Sequence, residues 1–330
     1  MGMLGVIKKQ RHSLRLLAML IVICAFFLFL KPGTFTRPSN FEAMSFQFPE
    51  YGIMALGVML AMISGGIDLS FVAIADFTSI IAVLIMQRSA GLPVNQTVGV
   101  ILLAMVVAIV GGCIIGMVNG MLVAHIGIPA FLVTLGSMQV FTGLSIVLTK
   151  GRAIGRIPEI YSETGNSKLL GFLPPPLLLF MVCFVAVAFL LRYTSYGANL
   201  YLVGANVRAA KFSAVNYKAV LIKTHMFVGI LSAAAGLIMI SSYNSAKPDY
   251  GSGYLLQAIL IAILGGVSPN GGVGKIGGVL IAILIAQVTS SGLNMFSAIN
   301  VHYRSVLWGL LLLIMIVVDY YEEMKKQGYK

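Results

Sequence analysis

Long apolar runs separated by short polar connections dominate the chain. Runs such as 177–191 and 308–318 contain almost nothing that water would solvate. A bilayer-spanning helix needs about 20 predominantly apolar residues, somewhat fewer when its ends snorkel. On that rule the pattern predicts ten helical segments, at roughly 14–30, 51–64, 69–87, 97–124, 131–149, 174–191, 217–241, 253–266, 275–293 and 303–320. The segments 51–64 and 253–266 are short, and each ends in a glycine pair, Gly65-Gly66 and Gly265-Gly266. Short, glycine-interrupted segments in two halves of a transporter point to a substrate path. Glycine also serves tight turns and close helix packing. The expected fold is all-α: one polytopic membrane domain over residues 1–330, with about ten transmembrane helices, some short or broken.

Composition agrees. Hydrophobic residues make up 59% of the 330, and only 10% are Asp, Glu, Lys or Arg, against about 25% in a soluble chain. That excludes a soluble enzyme, a nucleic-acid binder and a disordered chain. The net charge of +12 then reads as the surplus of Lys and Arg expected in cytoplasmic loops. Lys8, Lys9 and Arg11 precede an apolar run over 16–30 that ends in Leu30-Lys31-Pro32 with no small-x-small cleavage site, so the run is expected to be an uncleaved first helix. With the N-terminus inside, 13 of the 22 basic residues fall in inner segments, among them Lys325, Lys326 and Lys330. An even helix count then places both termini in the cytoplasm. The longest polar connections are 31–50 and 150–173 outside and 192–216 inside; the second carries Pro158 and runs into Pro174-Pro175-Pro176, as a stiff link would. Cys24, Cys113 and Cys183 each sit inside an apolar run, with no metal-ligand spacing.

The chemistry-bearing residues are few. A phosphate loop needs Gly, four residues, then Gly-Lys-Ser/Thr. At Gly274-Lys275 the first glycine falls on Pro269 and the hydroxyl position on Ile276, so no ATP or Mg site of that kind, no metal site and no catalytic group is expected. Asp68 and Asp76 stand out as carboxylates within the membrane region. Asp68 suits the N-terminus of the following helix, where its charge meets the positive dipole end; a substrate contact is the alternative. Asp76 requires a partner, a wet cavity or a proton.

Gln287, Ser290, Ser291 and Asn294 fall on one face of an otherwise apolar helix. Such a stripe lines a path for a polar solute or bonds helix to helix. Tyr254 and Gln257 share a face, as do Thr134, Ser137 and Phe141. Hydroxyls, amides and an aromatic plane suit a neutral sugar. Gly112, Gly116 and Gly120 form a ridge for close helix packing, with Asn119 beside it. The candidate path residues are thus Asp68, Asp76, Asn119, Thr134, Phe141, Gln257, Gln287, Ser290 and Asn294. The polar stretch 204–216, with Gly204, Asn206, Arg208, Ala209, Ala210 and Lys211, reads as a short cytoplasmic helix presenting small residues to a protein partner.

Several of these motifs resemble those of the ribose/xylose/autoinducer-2 type of ABC sugar permease. They are Gly65-Gly66-Ile67-Asp68-Leu69-Ser70, the stretch Ile128-Pro129-Ala130-Phe131-Leu132-Val133-Thr134-Leu135-Gly136, Gly204-x-Asn206 with Ala209-Ala210, Leu264-Gly265-Gly266 with Gly271-Gly272-x-Gly274, and Asp319 near the end of the last helix. The resemblance covers about residues 51–320. It implies a pathway made by two permease subunits, as a homodimer or a heterodimer, in the bacterial plasma membrane. It further implies a separate ATPase that binds ATP and Mg and docks on the loop near Gly204, and an extracytoplasmic binding protein that delivers the sugar. Leu255-Leu256-Gln257 stands where the family usually has Glu-Leu-Asp, and Asp76 where it has a small neutral residue. Rival readings are an ion-coupled secondary transporter, which requires a carboxylate relay, and an intramembrane enzyme, which is weakened by the scatter of His12, His125, His225 and His302 over four segments.

Overall fold

A computed structural model describes residues 3–169, 171, 173–296, 303, 306–315 and 317, with side chains from residue 13 onward. Asp319, His302 and the basic residues Lys325, Lys326 and Lys330 lie outside the described residues, as do the side chains of Lys8, Lys9, Arg11 and His12. Among the described residues the architecture is all-α, with two isolated bridges, Ile154 with Ala246 and Leu169 with Leu173. The helices are α1 (Met3–Leu30), α2 (Pro32–Phe35), α3 (Pro38–Ile63), α4 (Phe71–Met86), α5 (Val94–Met121), α6 (Ala130–Thr149), α7 (Glu159–Asn166), α8 (Pro175–Tyr193), α9 (Ser195–Ala205), α10 (Val207–Phe212), α11 (Tyr217–Tyr243), α12 (Tyr254–Leu264), α13 (Ile276–Asn294) and α14 (Val306–Met315).

Eight of these are long and apolar enough to cross a membrane, and α12 and α14 are shorter apolar helices. All ten predicted segments are therefore helical over their described residues, apart from the turns at their ends, but the one placed at 51–64 is not short. It is the second half of α3, which starts at Pro38 and runs for 26 residues, about 39 Å at 1.5 Å per residue. The connection 31–50, expected as a polar loop, is instead α2 plus the first half of α3. Proline at the first position of α3 presets the helical φ. The polar residues after it find partners across the bundle, which a sequence pattern cannot display.

α3 is the central helix: 89% of its apolar window is buried. α8, α11, α12 and α13 pack around it and share its apolar core. A second core lies where α4 and α5 meet the end of α11, covered by α7. The predicted glycine ridge supports that contact: Gly112, Gly116 and Gly120 lie against Gly229, His225 and Ile222 of α11, so close that a β-carbon would overlap backbone at each. α5, α6 and α8 turn large side chains such as Leu103, Val147 and Val185 outward, as a lipid-facing surface requires.

Turn chemistry sets the ends. α6 and α11 stop at Lys150 and Asn244 in the left-handed conformation. Thr194, Asn206 and Asn216 cap α9, α10 and α11 through their side chains. Within the link 150–173, α7 is tied to α11 by Tyr161 Oη donating to the Leu237 carbonyl (2.8 Å) and Asn166 Nδ2 to that of Ser241 (2.8 Å).

Candidate functional site

Both glycine pairs lie at one end of the bundle. Gly65, Gly271 and Gly272 all have φ between 71° and 89°, a region that only glycine enters freely. The Gly272 N–H donates to the carbonyl of Ile63 at 2.9 Å, tying the loop after α12 to the last turn of α3. Gly204, near the end of α9, fits between them; a β-carbon there would overlap the Ile63 carbonyl. Tyr201 Oη reaches the Gly274 carbonyl at 2.9 Å. Three separate glycine motifs thus form one backbone joint beneath α9 and α10. In this structure the pairs permit tight turns and close backbone packing.

A buried polar cluster adjoins the joint. Asp68 and His225 are essentially inaccessible. One carboxylate oxygen of Asp68 accepts from the N–H (2.8 Å) and hydroxyl (2.6 Å) of Ser70, and the other lies 2.7 Å from His225 Nδ1. With the carboxylate ionised, that nitrogen carries the proton. Asn119 Nδ2 donates to Ser70 Oγ at 3.0 Å. Thr134 Oγ1 accepts from the Leu69 N–H at 3.0 Å, holding the 67–69 turn against α6. Ser70 is the N-cap of α4, so Asp68 bonds the cap residue itself rather than the first turn. Its second partner, His225, comes from α11.

Asp76 has the partner that its burial demands. Its carboxylate accepts the Gly251 N–H at 3.0 Å, pinning the loop before α12 into the bundle. α12 has only 11 residues, about 16 Å, roughly half the thickness of a 30 Å hydrocarbon core.

The largest polar cluster surrounds the middle of α3. Glu50 is 3% exposed and accepts from Tyr243 Oη (2.8 Å) and Tyr254 Oη (2.7 Å). Tyr51 Oη donates to Gln287 Oε1 at 2.5 Å, and Gln287 Nε2 to Gln47 Oε1 at 3.3 Å. Gln257, one turn beyond Tyr254, is buried with its amide nitrogen unpartnered among the described residues. Toward the open end, Ser291 Oγ donates to Asn40 Oδ1 at 2.6 Å. A cavity of about 310 Å³ opens there between the start of α3 and the end of α13.

The family can now be read from sequence comparison. The family described as branched-chain amino acid transport system, permease component, matches residues 40–316. The chain belongs to this family. The autoinducer 2 import system permease protein LsrD of Yersinia enterocolitica is 34% identical over 272 residues, which is 81% of this chain and 79% of that protein. The ribose import permease protein RbsC of Escherichia coli is 31% identical over 315 residues, 94% of this chain and 93% of the relative. LsrD of Salmonella typhimurium is 31% identical over 272 residues. No solved structure matches at a significant level. The chain is thus a multi-pass membrane permease, a transport subunit rather than an enzyme, and the resemblance drawn from its motifs is borne out.

The nine candidate path residues of this permease fall into separate groups. Asp68, Asn119 and Thr134 belong to the cluster beside the glycine joint. Asp76 holds the loop at Gly251. Phe141 packs at a tilt against Phe77, ring centres 5.1 Å apart. Gln257, Gln287 and Ser290 are buried on α12 and α13, and Asn294 lines the cavity. Among the coupling residues, Arg208, Ala209 and Lys211 are exposed on α10, Gly204 is in the joint, and Asn206 caps α10. Ala210 is fully buried and faces the permease's own core.

Sequence reasoning missed Glu50, Tyr243 and His225 as chemistry. Glu50 was hidden because the polar half of α3 reads as a loop. His225 interrupts an apolar run, a signal that gains meaning only once Asp68 is placed opposite.

Proposed function

We propose that this permease forms the translocation path of an ATP-driven importer for a sugar or sugar-like solute in the bacterial plasma membrane. A separate ATPase, which binds ATP and Mg, docks on α9 and α10 from the cytoplasm. An extracytoplasmic binding protein delivers the solute to the opposite face, both termini lie inside, and a second permease subunit, identical or related, completes the pathway. The printed roles of the relatives, ribose and autoinducer 2 import, support this solute class.

The observation that carries the reading is the mounting of α10. Its exposed face bears Arg208, Ala209, Lys211 and Phe212, and Phe212 is 94% exposed. An aromatic ring held in the open on a segment bearing two cations suits a protein contact. The base of that segment is locked through Gly204 to α3 and to the loop after α12. Tyr196 of α9 bonds Thr224 of α11 (2.9 Å), beside the His225–Asp68 pair. A push on α10 thereby has a stiff route into helices that carry the polar clusters.

The test is Ala209→Trp. The side chain is outside the core, so expression and membrane insertion should stay near wild type. ATPase association should fall at least tenfold and sugar uptake should be abolished. Ala210→Trp is no substitute, because it would overpack the buried core. Full association and uptake in Ala209→Trp would make α10 a mere connector. Uptake that persists without ATP and collapses with the ion gradient would favour the secondary-transport reading, for which Glu50, Asp68 and Asp76 supply buried carboxylates in three separate places rather than a relay.

A further inference from the structure

We propose that the outward face of α6 centred on Gln139 is the contact between two copies of this permease. The inference rests on the permease reading and assigns the surface that its second subunit covers.

Four spans turn most of their surface away from the bundle. α1, α5, α6 and α8 are buried over 11%, 28%, 17% and 17% of their apolar windows. On α1, α5 and α8 the described side chains exposed between the first and last turns of the span are all apolar, as lipid requires. α6 is the exception. Gln139 is exposed and has no hydrogen-bond partner among the described residues. It stands in the middle of the 20-residue helix Ala130–Thr149, about 14 Å from either end. A carboxamide facing lipid at that depth would leave its donors and its acceptor unmet, so protein or water must cover it.

The residues around the amide form a seam. Leu132, Gly136, Gln139, Gly143 and Ile146 are all exposed and follow one another at intervals of four and three. That is the spacing with which two nearly parallel helices interlock. A β-carbon added at Gly136 or Gly143 would meet nothing within 4 Å, so the hollows on either side of the amide are open. Small residues there let a second backbone come close. A single polar residue in such a seam fixes its register.

Depth and symmetry select the occupant. The middle of a span is out of reach of a cytoplasmic ATPase and of an extracytoplasmic binding protein, which leaves another membrane subunit. Two copies inserted in the same orientation are related by a two-fold axis along the membrane normal, and the contact is then isologous. α6 meets the α6 of the second copy in parallel, with the two Gln139 amides opposite each other. A carboxamide both donates and accepts, so each amide satisfies the other.

The test uses the whole importer in membrane vesicles, with Cys24→Ala, Cys113→Ala and Cys183→Ala in the permease. Gln139→Cys, oxidised with copper phenanthroline, should convert at least half of the permease to a disulfide-linked species of twice its mass. Gly136→Cys and Gly143→Cys should form the same species. Val106→Cys on α5 and Val185→Cys on α8, both exposed and well inside their spans, should form it at least tenfold more slowly. In liposomes, Gln139→Leu should weaken the association of differently labelled copies about tenfold, read by energy transfer on dilution with lipid, and Gln139→Asn should restore part of it. A lack of cross-linking at Gln139→Cys, or cross-linking as fast at Val106→Cys or Val185→Cys, overturns the interface. Cross-linking to a permease of different sequence in place of its own copy overturns the proposed occupant. Reaction of Gln139→Cys with an impermeant thiol reagent, without a cross-link, also overturns the interface and makes the amide part of a wet path. Cross-linking is read without transport. An importer that cross-links but takes up no sugar therefore leaves the interface standing and refutes the proposed cargo, whereas uptake without cross-linking refutes the interface alone.

Discussion

The Asp68 carboxylate is held by three donors in a place that water does not reach. Two come from Ser70 and one from His225, more than 150 positions along the chain. Leaving a buried polar group without its hydrogen-bond partner costs about 1–3 kcal/mol, and more when the group is charged. His225→Ala should therefore destabilise the permease by about 3 kcal/mol, read from thermal unfolding of the solubilised protein. Asp68→Asn removes the charge that His225 answers. Combining it with His225→Ala should cost clearly less than the two single changes added together, as expected of residues in direct contact. Strict additivity would show that the pair carries no mutual energy. Asp68 was legible as a residue that had to be satisfied next to a helix start. Its principal partner was not, because nothing in the local sequence selects one histidine out of four.

At the scale of elements, the α5–α11 contact was the most legible piece of packing. Glycines four residues apart fall on one helix face, and a helix that presents three of them invites a backbone at close range. The partner helix and the depth of contact came only with the structure, which places Gly116 against the His225 carbonyl and Gly229 against that of Gly112. Gly116→Val should force the two helices apart and cost at least about 2 kcal/mol, in line with overpacking of a close contact. Gly99→Ala provides the control on the same helix. Nothing lies within 4 Å of its would-be β-carbon, so stability should change by no more than about 1 kcal/mol, with a gain in helix propensity. Comparable losses in both variants would mean that the cost is intrinsic to α5 and not to its contact. α3 shows the opposite case. Its first half carries Asn40, Glu42, Gln47 and Glu50, and local polarity argued for a loop. Hydrogen bonds from Tyr243, Tyr254, Ser291 and Gln287 make that stretch a helix inside the bundle.

Across the whole molecule, the alternation of spans assigns the glycine joint and the cavity to opposite faces of the membrane. α11, 27 residues long, separates the exposed Ser213 from the exposed Ser252. In the orientation proposed, Ser213→Cys should react with an impermeant thiol reagent only in inside-out vesicles, and Ser252→Cys only in intact spheroplasts. Reaction of both from the same side would remove α11 from the set of spans and reverse the assignment of the cavity. Reaction of each from the side opposite to that expected would invert the permease and place α10 outside, where no ATPase could reach it.

The sequence by itself determined that the chain is an all-helical, multi-pass membrane protein. Ten apolar segments at a charge content of 10% leave backbone hydrogen bonding in lipid no other solution on this pattern. It also determined the family, through several short glycine- and proline-bearing motifs that are weak singly and specific together. Tertiary structure alone decided which polar residues meet. Gly65, Gly204 and Gly272 are far apart in sequence and share one backbone joint. Glu50 and Tyr254, 204 positions apart, share one hydrogen bond. Local periodicity reports the face on which a residue stands, but not what stands opposite. In a membrane helix the opposite side chain decides whether a polar group is glue between helices, as at Thr134, or the wall of a cavity, as at Asn294.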